Sequence, residues 1–391
     1  METLYTYLRT SPGHKLTDAE KTQLLELDKE YGKFFREFWF KWDRTDCKNL
    51  EDEWEKFKTA LDNREKYYPQ IKLVVDKLTP EFLNWGNRLV IKFQNFPCFL
   101  SKYYIENINY MMNQAIGTIY KTDEAFAILN RQMCPKVSEE NYTAAWKMIK
   151  EHPYKDVREE QKYRGKDIVG FMQKHIDDCD FHYKVELNQY MIARQNVVPH
   201  EPVLHIRTNG QFSELDVESL KIHEVEVHVA RRHWGFQTGL NLFVDGLLER
   251  NTLDEGMAIY QSLHHNKYGV KPNLEFDIAI KTIIGYHIMD MDFIELYKWL
   301  LPKLKTKDNK DVIDLVLFKN LMRFKRVIQD CSLLGGDAIS ETDYFCGYQL
   351  VKDMPKSLKQ DLIKWNIGPG QISDLPNIKE FFKVNKFKPL N

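Results

Sequence analysis

The chain has 391 residues and few that break regular structure, with 18 Gly and 14 Pro. That scarcity favours long regular elements over loop-rich β architecture. Its six cysteines (Cys47, Cys98, Cys134, Cys179, Cys331 and Cys346) are scattered without a CxxC pair. A disulfide framework and a zinc-finger set are thereby excluded, and a reducing compartment fits best. Neither sign of charge is in excess: 56 Lys plus Arg face 57 Asp plus Glu, a net of −1. This balance argues against an overall nucleic-acid footprint and against a polybasic membrane binder. No apolar run approaches the roughly 18–20 residues of a membrane span. The opening METLYTYLRTSPGHKL lacks a basic-then-apolar signal pattern. A phosphate-cradling glycine loop, a GxSxG elbow and internal repeats are also absent.

What is present points to a helical protein. Hydrophobic residues make up 43% of the chain, enough for a sizeable core in one large domain or two ordinary ones. In residues 1–135, Phe34, Phe35, Phe38, Trp39 and Trp42 form a crowded stripe, followed by Trp54 and Phe57, which reads as packing between helices. Cys134-Pro135 marks a joint. The expected division is a helical region over 1–135 and a catalytic region over 136–391, packed separately or as one domain. Near residue 180 the texture changes. FHYKVELNQ and PVLHIRT alternate apolar and polar as half-buried strands do, joined by MIARQNVVPHE with Pro199. The strand over 203–208 offers an edge along which a peptide could pair. Helical patterns return after residue 262, and residues 369–391 read as a mildly basic tail. The expected class is α+β, mainly α, with a small sheet, in a soluble cytoplasmic protein.

Residues 213–261 carry the chemistry. Ser213 and Asp216 read as a capping box, and Leu215, Leu220, His223 and Val227 follow at helical spacing, with Gly235 as a stop. Inside this helix lies HExxxH: His223, Glu224 and His228. Four residues of an α-helix turn about 400°, so the histidines of the shorter HExxH spacing lie ~40° apart and can share a metal. Five residues turn about 500°, which sets His223 and His228 ~140° apart. A shared ion therefore demands a local defect such as a π-bulge, which absorbs one residue. KIHEVEVHVA also alternates like a strand, and a strand would point the two histidines to opposite faces.

A second helix opens at Thr252, with Glu255 standing 27 residues after His228. Glu255 is either a capping partner for Thr252 or the third protein ligand of a zinc whose fourth position takes water. In combination, two His, an adjacent Glu and a downstream Glu make a zinc hydrolase site for one Zn²⁺. In it, His223, His228 and Glu255 hold the metal and Glu224 moves the water's proton. Asp254 and Glu226 are candidates to orient the histidines. His264-His265 mimic a metal pair, but adjacent helical residues face different ways, so solvent exposure is expected.

At these residues the sequence resembles the tyrosine/phenylalanine carboxypeptidase family, which includes the microtubule-associated tyrosine carboxypeptidases and bacterial "QEGLA-motif" proteins. LHIRTNGQFSE, HEVEVHVARRHWG, DGLLERN and LDEGMAIY carry the resemblance over about 180–262, and it extends to about 350. It implies a gluzincin-like two-helix zinc site, with His223, His228 and Glu255 as ligands and Glu224 as the catalytic glutamate. It also implies removal of a C-terminal Tyr or Phe from a protein or peptide. This chain departs from the family at His233-Trp234-Gly235, Asp254 and Met257, and at Gln329-Asp330 after Arg326-Val327. Arg326 is the motif's choice for the substrate carboxylate, with Arg231 and Arg232 as alternatives. Tyr344 is placed to donate to an oxyanion. A helical binding scaffold and a zinc endo- or aminopeptidase stand as other readings, and oligomeric state is left open.

The near-zero charge hides two unlike regions. Residues 211–260 hold nine acids and four bases, a net of −5, which suits a dication. Residues 301–330 hold eight bases, Arg323 and Arg326 among them, and four acids, a net of +4 that could receive a carboxylate.

Overall fold

The computed structural model describes residues 10–42, 49–71, 78–133, 137–157, 159–189, 194–198, 201–265, 269–310 and 312–390. Cys47, the Cys134-Pro135 joint and Pro199 lie outside the described residues, as does the Trp42 side chain. The protein is mainly α with small sheets, the expected α+β class. No described helix is long and apolar enough to cross a membrane.

The first helices are α1 (Asp18–Trp42), α2 (Leu50–Asp62), α3 (Pro80–Gln94), α4 (Ser101–Tyr120), α5 (Asp123–Met133) and α6 (Glu139–Glu151). Strand β1 (Tyr163–Arg164) leads into α7 (Gly165–Asp178), and then β2 (Lys184–Asn188), β3 (Gln195–Val197), β4 (Val203–Arg207) and β5 (Gln211–Phe212) follow. One long helical rod comes next: α8 (Glu214–Leu220), a π-helix (Lys221–Val229) and α9 (Ala230–Thr238). The remaining helices are α10 (Asn241–Asp245), α11 (Arg250–His264), α12 (Leu274–His287), α13 (Phe293–Leu304), α14 (Ile313–Lys325), α15 (Ala338–Lys352), α16 (Lys356–Lys364) and α17 (Leu375–Val384).

The main sheet has the order β2-β4-β3, with β2 parallel and β3 antiparallel to β4. This corrects two expectations. The connection between the two anticipated strands itself holds a strand, β3. As a result β4 is the central strand with both sides paired, and β2 and β3 are the edges. The tail is also corrected. Residues 369–391 include a 3₁₀ turn (Pro369–Asp374) and α17, and Ile378 and Phe381 are buried in the core.

Three large apolar clusters organise the molecule. The first joins α1, α3 and α4 (Phe34, Phe38, Phe93, Tyr104) to Leu240, Leu253, Leu362 and Phe381, so it draws on both sides of residue 135. The second gathers Phe57 with α12 to α15. The third packs α7 and the sheet against Val225 and Val229 of the π-helix. Val227 turns the other way, into the first cluster. The rod is thus wedged between two cores, which leaves its remaining face for the histidines. Asp28 of α1 adds a polar clamp. Its buried carboxylate accepts from Asn241 N (2.8 Å), Leu242 N (3.1 Å) and Tyr104 Oη (2.7 Å). It thereby satisfies the open N-terminal amides of α10, just after the rod ends.

Candidate active site

Ser213 caps the rod as expected: its Oγ accepts from Asp216 N (3.0 Å) while the Asp216 carboxylate accepts from Ser213 N (3.0 Å). The rod then winds as a π-helix over Lys221–Val229, where the HExxxH spacing demands a defect. It does not stop at Gly235. Gly239, at φ 78°, ends it, while Gly235 lies inside α9 where a Cβ would come within 2.4 Å of the Phe243 carbonyl oxygen.

The π-winding brings the His223 and His228 rings to 4.9 Å between centroids. Glu255 of α11 completes the group. Its Oε2 lies 3.4 Å from His223 Nε2 and 3.7 Å from His228 Nε2, and one ligand atom from each residue falls within 4.8 Å of the others. Tetrahedral zinc with N and O ligands near 2.0–2.1 Å implies ligand separations of roughly 3.3 Å, which the two Glu255 separations approach. Glu255 Oε2 is also buried without a hydrogen-bond partner among the described residues. A carboxylate oxygen in that condition is costly unless a cation takes it. Thr252 does not use Glu255 as a capping partner. Its Oγ1 donates instead to Asp343 Oδ1 (2.6 Å) on α15.

A second layer fixes His228. Asp254 Oδ1 lies 3.4 Å from His228 Nδ1, and Arg231 Nε lies 2.8 Å from the same oxygen. Burial pushes the Asp254 carboxyl up, but Arg231 and His228 hold it well below the usual range. Burial lowers His228, and Glu255, Asp254 and Glu224 override it and raise the imidazole to about 9. The pocket therefore favours positive charge at the place where a metal would sit. Glu226 plays no part here; it points outward and meets His175 at 3.1 Å.

Arg231 is corrected as a substrate ligand. Its side chain is 0% exposed, and its guanidinium donates to the carbonyls of Leu362 and Ile367 and to Asn366 Oδ1. Arg232 is buried too and donates to Val244 O (2.6 Å). Arg231 thus holds the rod to the C-terminal segment, and Arg232 holds it to α10.

Glu224 is buried, and its Oε1 accepts from Gln195 Nε2 (3.3 Å). Gln195 opens the edge strand β3, a role invisible in the sequence because the pairing is long-range. Tyr344 of α15 completes the surroundings. Glu255 first, and burial second, push its hydroxyl well above the usual range, with Glu224 acting in the same direction. The Lys281 ammonium sits 4.1 Å over its ring.

Arg326 lies at the end of α14. Its Nη2 donates to Asp337 Oδ2 (2.9 Å) and Ser340 Oγ (3.2 Å) at the start of α15. Arg323, one turn earlier, is the arginine whose charge acts on Tyr344. His264 and His265 are exposed as expected, with His264 Nε2 3.3 Å from Tyr348 Oη.

Comparison with curated proteins found no match. A family model does match, over residues 122–310, and its description is microtubule-associated tyrosine carboxypeptidase. The matched stretch contains His223, Glu224, His228 and Glu255 and stops short of Arg323, Arg326 and Tyr344. Residues 122–310 of this chain thus match the microtubule-associated tyrosine carboxypeptidase family, the one its HExxxH and DEG motifs resemble.

Proposed function

We propose that the protein is a zinc metallocarboxypeptidase that removes a C-terminal aromatic residue, Tyr or Phe, from a peptide or protein. The family match supports a carboxypeptidase and hence a hydrolase. One observation carries the finer reading: His223, His228 and Glu255 converge within 4.8 Å because the helix is π-wound between the histidines. The group is not sealed. The side chains of His223 and Glu255 keep about a fifth of their surface exposed, as a catalytic site with an open ligand position requires.

The chemistry that zinc would supply here is Lewis-acid activation of water and of the scissile carbonyl. The chain's own residues do the rest. Asp254 engages Nδ1 of His228, which leaves Nε2 as the ligand atom. Glu224 takes the proton from the attacking water and delivers it to the leaving amine. Gln195 orients that carboxylate through its Nε2. The Tyr344 hydroxyl, kept protonated by the acids beside it, donates to the oxyanion. The free thiols of Cys98, Cys179 and Cys346 suit a reducing, cytoplasmic setting.

End-group analysis of peptides that differ only in the last residue tests the reading. Mass spectrometry should show loss of a single C-terminal residue, fastest for Tyr and Phe. Internal or N-terminal cleavage would contradict it.

A further inference from the structure

Gln195 reaches Glu224 through a long hydrogen bond of 3.3 Å. It opens β3, a three-residue strand at an edge of the sheet that pairs with β4 on one side. Edge strands this short open readily. The ladder alone is a weak support for so long a bond.

The neighbouring residue supplies the support. Arg194 lays its guanidinium on Asp216 at the start of the rod, with Nη1 donating to Oδ2 (3.0 Å) and Nη2 to Oδ1 (2.9 Å). This is the planar fork matched to a carboxylate. Nη1 also donates to Gln211 O (3.2 Å), and the guanidinium carbon lies 5.3 Å over the Phe212 ring. Lys271, between α11 and α12, places a second cation 3.0 Å from Asp216 Oδ1. Burial pushes the Asp216 carboxyl up, but Arg194 and Lys271 hold it well below its usual range.

Asp216 and Glu224 stand eight positions apart on the rod, roughly 10–12 Å along its axis. Arg194 and Gln195 therefore grip the rod at two separate points. One contact would let the start of β3 pivot, whereas two fix its direction. The Arg194 side chain is 38% exposed, and ion pairs at such sites add little to stability. Its place beside Gln195 gives it another use.

We propose that Arg194 is a positioning residue for the base: clamped on Asp216, it fixes the start of β3 so that the Gln195 amide stays on Glu224. The proposal rests on the carboxypeptidase reading, in which Glu224 moves the proton.

The test compares zinc-loaded wild type, Arg194→Gln, Arg194→Lys, Gln195→Met and the double variant Arg194→Gln with Gln195→Met on a peptide ending in Tyr. Arg194→Gln and Gln195→Met should each lower kcat by about 10-fold, with KM within about 3-fold of wild type. The double variant should match Gln195→Met within about 2-fold, because Arg194 acts through Gln195. Zinc content should not change, and Arg194→Lys, which keeps the charge without the fork, should recover part of the loss. An unchanged kcat in Arg194→Gln, or losses that multiply in the double variant, overturns the proposal. Hydrogen exchange followed by mass spectrometry gives a readout without turnover. In Arg194→Gln the amides of residues 195–198 should exchange about 10-fold faster while those of the rod keep their wild-type rates. Unchanged exchange over 195–198 overturns the clamp. Faster exchange there, with no release of Tyr by wild type, would sink the carboxypeptidase reading and leave the clamp standing.

Discussion

Gly256 and Gly347 meet backbone to backbone. A Cβ on Gly256 would lie 2.3 Å from the carbonyl carbon of Gly347, and one on Gly347 would lie 1.9 Å from the Thr252 carbonyl oxygen. No side chain fits between α11 and α15 at this crossing. The contact sets the distance from Glu255, one residue before Gly256, to Tyr344, one turn before Gly347. The helix that carries Glu255 and the helix that carries Tyr344 are thus spaced by their two glycines.

Gly256→Ala or Gly347→Ala should therefore be costly, because backbone cannot swing aside as a flexible side chain can. A loss of about 2–3 kcal/mol is expected, at the upper end of overpacking effects. Activity should fall further than stability, since the pair also positions Tyr344. Urea unfolding together with kcat/KM checks this. Full activity in either variant would mean the helices separate without consequence.

Asp254→Asn should weaken metal binding. The carboxylate joins His228 Nδ1 to the fully buried Arg231. Removing such a supporting group typically costs 10–100-fold in metal affinity. Leaving Arg231 without its counter-charge should also cost about 3–5 kcal/mol. Competition with a zinc chelator and thermal unfolding measure the two effects separately. Wild-type affinity in the variant would remove Asp254 from the site.

The Glu341 cluster should make stability depend on pH. Burial pushes the Glu341 carboxyl up, but Lys281, Arg323 and Arg326 bring it down from an ordinary 4.5 to about 2. A carboxyl lowered by folding contributes fully above its unfolded value, and that contribution is lost as pH falls through the folded value. Wild type should lose on the order of 3 kcal/mol between pH 5 and pH 2 from this group. Glu341→Gln should lack that part of the slope. The difference between the two proteins isolates Glu341 from Asp28, whose carboxyl burial raises to about 6 and whose slope runs the other way. Parallel pH profiles would show that the cluster is neutral toward stability.

How far the sequence could be read depends on how local the information is. The HExxxH spacing is a local fact, and helix arithmetic alone demands the distortion found over Lys221–Val229. The capping box at Ser213 is local too. The edge strand was missed because Gln195–Val197 is three residues long and pairs with β4 across a connection that has no strand pattern. Arg231 misled because a basic pair near a helix end usually faces solvent, whereas here the C-terminal helices cover it. Arg323 and Arg326 lie in the same basic run. Which one is spent on Asp337 and Ser340 is decided by the packing of α15, three-dimensional information absent from the run itself. Nothing in the first helices announces their part, yet Asp28 caps α10 and so secures the end of the rod that carries both histidines.

In the proposed function, His223, His228 and Glu255 hold one zinc and Glu224 moves the proton. Zinc content and release of C-terminal Tyr, measured together on wild type and Glu224→Gln, test it most directly. One zinc per chain is expected in both proteins, with Tyr release by Glu224→Gln slowed by about 10² or more relative to wild type. A wild type without stoichiometric zinc, or a Glu224→Gln protein that releases Tyr at the full rate, would contradict it.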